Sequence, residues 1–176
     1  MVKISSYKLK IILVGMSNTG KDDLINNIAE NRFATNYKLT VGVEILSKNI
    51  EYKPGEVTTL SIWDIGDQQR FEFIRSTFYK GATGALLTFD LTREQTIKEI
   101  RKWLQEIFQY TGKIPFLLIA NKIHLDKDSI RNREQIYNLV NTQGGIYIEL
   151  DPEDIKTIET GLLELINQIM LMRSLT

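Results

Sequence analysis

The chain of 176 residues balances 22 Lys+Arg against 22 Asp+Glu, so its formal net charge is zero, and it holds one histidine and no cysteine. Length and a composition that is 43% hydrophobic and 25% charged suit a single globular domain over residues 1–176 and exclude a disordered or fibrous chain. A neutral chain gives no electrostatic reason to expect nucleic-acid or polybasic membrane binding. Without cysteine it has no disulfide framework, thiolate metal site, thiol nucleophile or residue for prenyl or palmitoyl attachment. The lone His124 argues against a His-rich metal site or a His-based triad. Lys and Ser interrupt every apolar run near the N-terminus, and no stretch approaches the roughly 18–20 apolar residues of a membrane span. The expected compartment is the cytoplasm.

In chain order, residues 9–14 (Leu-Lys-Ile-Ile-Leu-Val) form a short β-branched run ending at Gly15, which predicts a buried strand. A helix is predicted after Gly20, with Leu24, Ile25 and Ile28 on one side. Two strand-like runs, 41–50 and 57–63, flank Lys53-Pro54-Gly55-Glu56, and Pro-Gly between β-rich segments reads as an antiparallel hairpin. Residues 85–89 and 115–120 are near-continuous apolar runs, the mark of strands covered on both faces of a mostly parallel sheet, and 146–148 reads as a sixth strand. Between them the period changes to 3.6. Thr92 reads as an N-cap with Gln95 completing a capping box, ahead of a face of Ile97, Ile100, Leu104, Ile107 and Phe108. Ile155, Ile158, Leu162, Leu165, Ile166 and Ile169 mark a C-terminal helix. This alternation predicts an α/β fold: a six-stranded, mostly parallel, doubly wound sheet with one antiparallel edge strand. Ligands of such sheets bind at the carboxyl ends of the strands.

The first loop at that end, Gly15-Met16-Ser17-Asn18-Thr19-Gly20-Lys21-Asp22, fits G-x-x-x-x-G-K. In a phosphate-binding loop, glycines let successive N–H groups curl around phosphates, a helix N-terminus adds its dipole, and the lysine reaches the outer phosphates. That assigns Gly15, Ser17, Asn18, Thr19, Gly20 and Lys21 to nucleotide binding. The competing reading of the loop alone is a Gly-containing strand-to-helix turn with an exposed lysine.

Together with the other loops, the chain resembles a Ras-superfamily small GTPase, nearest the Rab-like branch. Phe33 falls where that family places an aromatic against guanine. Thr40, within Tyr37-Lys38-Leu39-Thr40-Val41-Gly42-Val43, matches the switch I threonine. Trp63-Asp64-Ile65-Gly66-Asp67-Gln68-Gln69-Arg70-Phe71 resembles switch II, Tyr79-Lys80-Gly81-Ala82 follows it, and Asn121-Lys122-Ile123-His124 occupies the guanine-specificity loop. The resemblance runs from Lys8 to about Met170. It implies a P-loop NTPase small-GTPase fold, GTP or GDP with Mg²⁺ as ligands, and Thr40 and Asp64 beside the metal. It also implies Gln68 as the residue that orients the attacking water, and effector or regulator proteins meeting the switch I to hairpin surface, Tyr37 to Ile50.

Four positions depart from the family pattern. Asp22 stands where a Ser or Thr hydroxyl coordinates Mg²⁺; a carboxylate is a good hard ligand but adds charge beside the phosphates. Equally, Asp22 is a favourable first-turn residue at a helix N-terminus. In switch II the glycine whose N–H meets the terminal phosphate sits one place early, at Gly66, and Asp67 fills its slot. Two unit charges about 5 Å apart at an effective dielectric near 20 repel by roughly 3 kcal/mol, a penalty that falls mainly on GTP rather than GDP. His124 replaces the aspartate that accepts two hydrogen bonds from guanine, which weakens base discrimination by at least one charge-assisted bond. Pro152, in Leu150-Asp151-Pro152-Glu153, lacks the N–H that meets the guanine carbonyl and also suits the first turn of the next helix.

Around the phosphates, Lys21 faces Asp22, Asp64 and Asp67, a local charge of −2 in a neutral chain. Two functions follow, with a P-loop protein that holds a nucleotide with relaxed base choice as an intermediate between them. One is a Ras/Rab-like guanine-nucleotide switch with impaired or slow GTP hydrolysis, in which Asn121, Lys122 and His124 meet the base. The other is a pseudo-GTPase that binds nucleotide weakly or not at all and serves as a protein-interaction module.

Overall fold

The structure, a computed structural model, describes residues 3–29, 35–40, 42–67, 72–121, 127–150 and 155–176. The chain runs β1 (Lys3–Gly15), α1 (Lys21–Ala29), β2 (Thr35–Thr40), β3 (Val43–Lys53), β4 (Glu56–Ile65), α2 (Glu72–Tyr79) and β5 (Gly84–Asp90). It continues through α3 (Glu94–Thr111), β6 (Phe116–Asn121), α4 (Lys127–Gln143), β7 (Ile146–Leu150) and α5 (Ile155–Ser174). These strands form one sheet in the order β2-β3-β4-β1-β5-β6-β7. β1 pairs in parallel with β4 and β5, β5 with β6, and β6 with β7, whereas β3 is antiparallel to both β2 and β4.

The α/β class, the parallel centre and all six expected strands are present. β2 is a seventh, which lies outside β3 and occupies that edge. Residues 35–40 (Thr-Asn-Tyr-Lys-Leu-Thr) are too polar to announce a strand; pairing along β3 supplies the ladder. The hairpin forms as expected, with Gly55 at φ +77° and its N–H donating to Glu51 Oε1 at 2.7 Å.

Period-two alternation in the central strands feeds two cores. Leu9, Ile11 and Leu13 of β1, with Leu117 and Ile119 of β6, pack with Leu24 and Ile28 of α1 and Leu162, Leu165 and Ile166 of α5. Ile12 and Val14, with Leu87, Phe89, Phe116 and Leu118, pack with Ile97, Ile100, Leu104 and Ile107 of α3 and Ile136 and Leu139 of α4. β5 is buried along its whole length, as its continuous apolar run requires.

The start of α3 corrects the expected capping box. The helix begins at Glu94 with Arg93 at the N-cap, in an extended conformation and without a side-chain cap. Thr92 Oγ1 instead donates to Asp90 Oδ1 at 2.6 Å, and Gln95 Nε2 reaches forward to Glu99 at 3.2 Å. The Asp90 carboxylate is the stronger acceptor within reach, so it draws the loop into a turn and delays the helix.

Connections diverge from β1 toward β4 and from β5 toward β6, so the topological switch point lies between β1 and β5. The loops after these two strands are 16–20 and 91–93.

Candidate functional site

The phosphate loop begins where β1 runs out beside β5, with Gly15 paired to Thr88. A Cβ on Gly15 would lie 2.1 Å from Thr88 Oγ1 and 2.8 Å from Thr88 O, so only glycine fits. Thr19 Oγ1 reaches Thr88 Oγ1 at 2.8 Å and Met16 O at 2.7 Å, and the residue is 2% exposed. The Thr19 side chain therefore staples the loop to β5, and its contribution to a ligand is through the backbone. Asn18 at φ +59° and Gly20 at φ +82° supply the left-handed steps that curl the loop before α1. Together with Asp67, the loop and the first turn of α1 line a cleft of about 470 Å³ whose walls are Met16, Ser17, Asn18, Gly20, Lys21, Asp22 and Asp23.

Lys21 stands at the mouth of α1. Its ammonium donates to Asp64 Oδ1 at 2.9 Å and to the Ile65 carbonyl at 3.3 Å, which fixes the end of β4 beside the phosphate loop. The Lys21 and Asp64 side chains are 13% and 18% exposed, so the pair is largely shielded from water. Two residues on, the Gly66 N–H donates to the Gly42 carbonyl at 2.8 Å, tying the switch II segment to the turn before β3. Next, Asp67 Oδ2 accepts from the Ser17 N–H at 2.7 Å and from the Ser17 hydroxyl at 2.9 Å. Sequence reasoning placed Asp67 as a repulsive charge near a terminal phosphate; the fold also makes it an acceptor for the phosphate loop.

Arg93 escaped the sequence reading. Its guanidinium donates to the Asn18 carbonyl at 2.7 Å and the Ser17 carbonyl at 3.3 Å, while its Nε pairs with Asp90 Oδ2 at 3.0 Å. Asp90 is also held by the Thr92 N–H at 2.8 Å. Arg93 thus neutralises the carbonyl side of the phosphate loop, leaving the N–H side for an anion. Nothing in the local sequence marks it, because the contact spans 75 residues.

Asp22 and Asp23 are exposed in the first turn of α1, where they complement the helix dipole. Asp22 opens on the same cleft as Lys21, so an exposed hard-oxygen donor lies beside the phosphate loop. With Asp64 at the end of β4, this donor chemistry fits Mg²⁺, which takes one or two carboxylates and completes its shell with phosphate oxygens and water. Thr40 ends β2 opposite Val43, and Asn121 ends β6 between Asp90 and Leu150, both at strand ends that border the loops. Phe33, Gln68, Lys122, His124 and Pro152 lie outside the described residues, so the base-binding positions and the glutamine stand as sequence expectations.

The switch II helix is anchored away from the cleft. Arg75 forms a fork to Glu106 of α3 at 3.2 and 3.3 Å, and the Tyr79 hydroxyl donates to the same carboxylate at 3.1 Å. Burial, reinforced by the neighbouring Glu106 charge, pushes the Tyr79 hydroxyl far above the ordinary phenol range. On the outer side of α2, Phe73 is 93% exposed.

The family comparison agrees with the loops. The Ras family profile matches residues 10–171. Ras-related protein RABA5e of Arabidopsis thaliana is 33% identical over 168 residues, covering 93% of this chain and 77% of that protein. Ras-related protein YPT3 of Nicotiana plumbaginifolia is 32% identical over 164 residues, with 93% and 75% covered. Ras-related protein RIC2 of Oryza sativa subsp. japonica is 30% identical over 173 residues, again with 93% and 75% covered. With a phosphate loop at the switch point of a doubly wound sheet and this similarity along nearly its whole length, the chain belongs to the Ras family, as a Rab-like small GTPase.

Proposed function

We propose that this protein is a guanine-nucleotide switch with slow GTP hydrolysis, working in the cytoplasm through effector or regulator proteins. The observation that carries the reading is the cleft around Lys21, where the loop offers its N–H side and an ammonium to phosphates. Lys21 uses two of its three protons on Asp64 and Ile65, which leaves one for a phosphate oxygen. Asp22 and Asp64, with Thr40, are the residues that would hold Mg²⁺, and the ion would neutralise charge on the outer phosphates. Gln68 follows Asp67 directly, so the residue assigned to orient water hangs from the segment that Asp67 ties to Ser17. A segment tied to the phosphate loop through Asp67 is not free to rearrange around a third phosphate, and slow hydrolysis follows from that.

Among the described residues, no helix is long and apolar enough to cross a membrane. The partner surface is the edge formed by β2 and β3, residues 37–50, with the exposed Phe73 of α2 as an apolar contact at the neighbouring switch.

A second reading, a pseudo-GTPase that acts as an interaction module, is favoured by the Asp67 carboxylate, which takes an amide of the phosphate loop for the protein itself. Freshly purified protein, denatured and analysed by chromatography for released nucleotide, separates the two. Stoichiometric GDP or GTP supports the switch and sinks the module. No released nucleotide, together with a melting temperature unmoved by Mg²⁺-GDP and Mg²⁺-GTP, rejects the switch. Single-turnover decay of bound GTP then measures hydrolysis.

A further inference from the structure

We propose that Asp67 is the residue that sets phosphate number at this site: its carboxylate stands in for a third phosphate, so the cleft takes a guanine nucleoside diphosphate in preference to a triphosphate. The same contact keeps switch II docked on the phosphate loop while the diphosphate is bound. This rests on the nucleotide-binding reading above.

The carboxylate is delivered to the cleft by a strap with successive anchors. Lys21 holds Asp64 and the Ile65 carbonyl, Gly42 holds Gly66, and Ser17 then receives Asp67 through both its N–H and its hydroxyl. The space at Gly66 is tight as well, since a Cβ there would lie 3.1 Å from the Gly42 carbonyl oxygen. The strap therefore has little room to shift, and Asp67 lies on the wall of the cleft rather than on the outer surface. An anionic oxygen accepting from loop donors is what a phosphate oxygen does, and a carboxylate supplies the same charge-assisted bonds.

A diphosphate leaves this arrangement in place. It uses the deeper part of the loop, around Gly20 and the N-terminus of α1, and the remaining proton of Lys21. A triphosphate must bring further negative charge to the Asp67 end of the cleft, so it either sits against the carboxylate or displaces it from Ser17. One unit of uncompensated repulsion at about 5 Å amounts to about a hundredfold in affinity. Switch II would then be docked through Asp67 with diphosphate bound and undocked by triphosphate, so the third phosphate would loosen the segment.

The test is calorimetric titration of the nucleotide-stripped full chain, with Mg²⁺, by GDP and by the non-hydrolysable guanosine 5′-(β,γ-imido)triphosphate. Wild type is compared with Asp67→Ala and Asp67→Asn, and urea unfolding confirms that each variant is folded. Wild type is expected to prefer GDP, and Asp67→Ala to gain about a hundredfold for the triphosphate while GDP changes little. Asp67→Asn, which keeps an acceptor but loses the charge, falls between them. Hydrogen exchange provides an independent readout: with GDP bound, the amides of Ser17 and of residues 64–67 are protected in wild type and exposed in Asp67→Ala. Binding by Asp67→Ala alone overturns the proposal, because the carboxylate would then exclude the diphosphate as well as the triphosphate. Measurable binding with the same diphosphate to triphosphate ratio in wild type and Asp67→Ala overturns the role of Asp67 and leaves nucleotide binding intact. No binding of either nucleotide by any variant overturns both.

Discussion

Gly15 and Thr88 are register partners across β1 and β5, and the threonine hydroxyl fills the space that any side chain at Gly15 would need. The same hydroxyl meets Thr19 Oγ1, so one β5 residue sets both the start and the middle of the phosphate loop. Gly15→Ala must force Thr88 aside, and because the Thr88 backbone oxygen is also close, a rotamer change does not relieve the clash. The expected loss is about 2–3 kcal/mol in urea unfolding, with part of it recovered in the double variant Gly15→Ala, Thr88→Ala.

Arg93 acts on the phosphate loop from the far side of the switch point. Arg93→Ala removes the guanidinium from the Ser17 and Asn18 carbonyls and leaves Asp90, itself 6% exposed, with its Thr92 donors alone among the described residues. Stability is expected to fall by about 1–2 kcal/mol, and affinity for GDP by severalfold. Arg93→Lys restores little, because one ammonium cannot serve Asp90 and two carbonyls with the planar spacing of a guanidinium. Thermal unfolding and GDP titration measure the two effects.

Asp22 faces the cleft as an exposed carboxylate. Asp22→Ser removes a unit of negative charge from beside the phosphates and a carboxylate from the Mg²⁺ donors, so it is expected to raise nucleotide affinity in EDTA about tenfold while reducing the gain that Mg²⁺ brings. The check is the nucleotide-induced rise in melting temperature with Mg²⁺ and with EDTA. The variant should narrow the difference between the two conditions, and an unchanged difference counts against a place for Asp22 near the metal.

Tyr79 predicts an alkaline dependence. Its hydroxyl keeps its proton in the folded protein well above the value of an exposed phenol, chiefly because it is buried and then because Glu106 is negative. The unfolded chain ionises this group near about pH 10, so the folded state holds the extra proton above that pH. Its stabilising contribution is complete below pH 10 and declines as pH rises beyond it. Tyr79→Phe should cost about 1–2 kcal/mol at pH 8 through the lost bond to Glu106, and the gap to wild type should narrow at pH 11. Urea midpoints at the two pH values test the sign.

Lys48 predicts the opposite sign from the other face of the sheet. It is 5% exposed on β3 between Leu46 and the half-buried Ile50, and burial lowers its pKa, partly offset by Glu159. Lys48→Met is expected to stabilise the protein by about 1 kcal/mol at neutral pH, where the lysine is charged in a poorly hydrated site. That advantage shrinks as pH rises toward the ordinary lysine value, because the folded lysine sheds its proton before the unfolded one does.

The strand–helix alternation, the buried parallel centre and the Pro54-Gly55 hairpin were legible in the sequence because each follows from local periodicity or turn chemistry. β2 was not, since a polar edge strand carries no apolar pattern and exists through its partner. The start of α3 was misread for a related reason: Thr92 and Gln95 satisfy a capping pattern, but Asp90 competes for the threonine. At the site, Lys21 and Asp64 could be assigned from motif spacing.

By itself, the sequence determined the fold class, the phosphate loop, the family resemblance and the excess of acid around Lys21, all of which depend on residue type and spacing along the chain. Only the tertiary structure decided what that acid does. Asp64 is paired with Lys21, Asp22 opens on the cleft, and Asp67 reaches across 50 residues of sequence to Ser17, where it accepts bonds rather than only repelling charge. Whether a carboxylate repels a ligand, binds a metal or replaces a phosphate depends on which donors the fold brings within about 3 Å of it, and that distance is set by the crossing of β1, β4 and β5 rather than by any local stretch of chain.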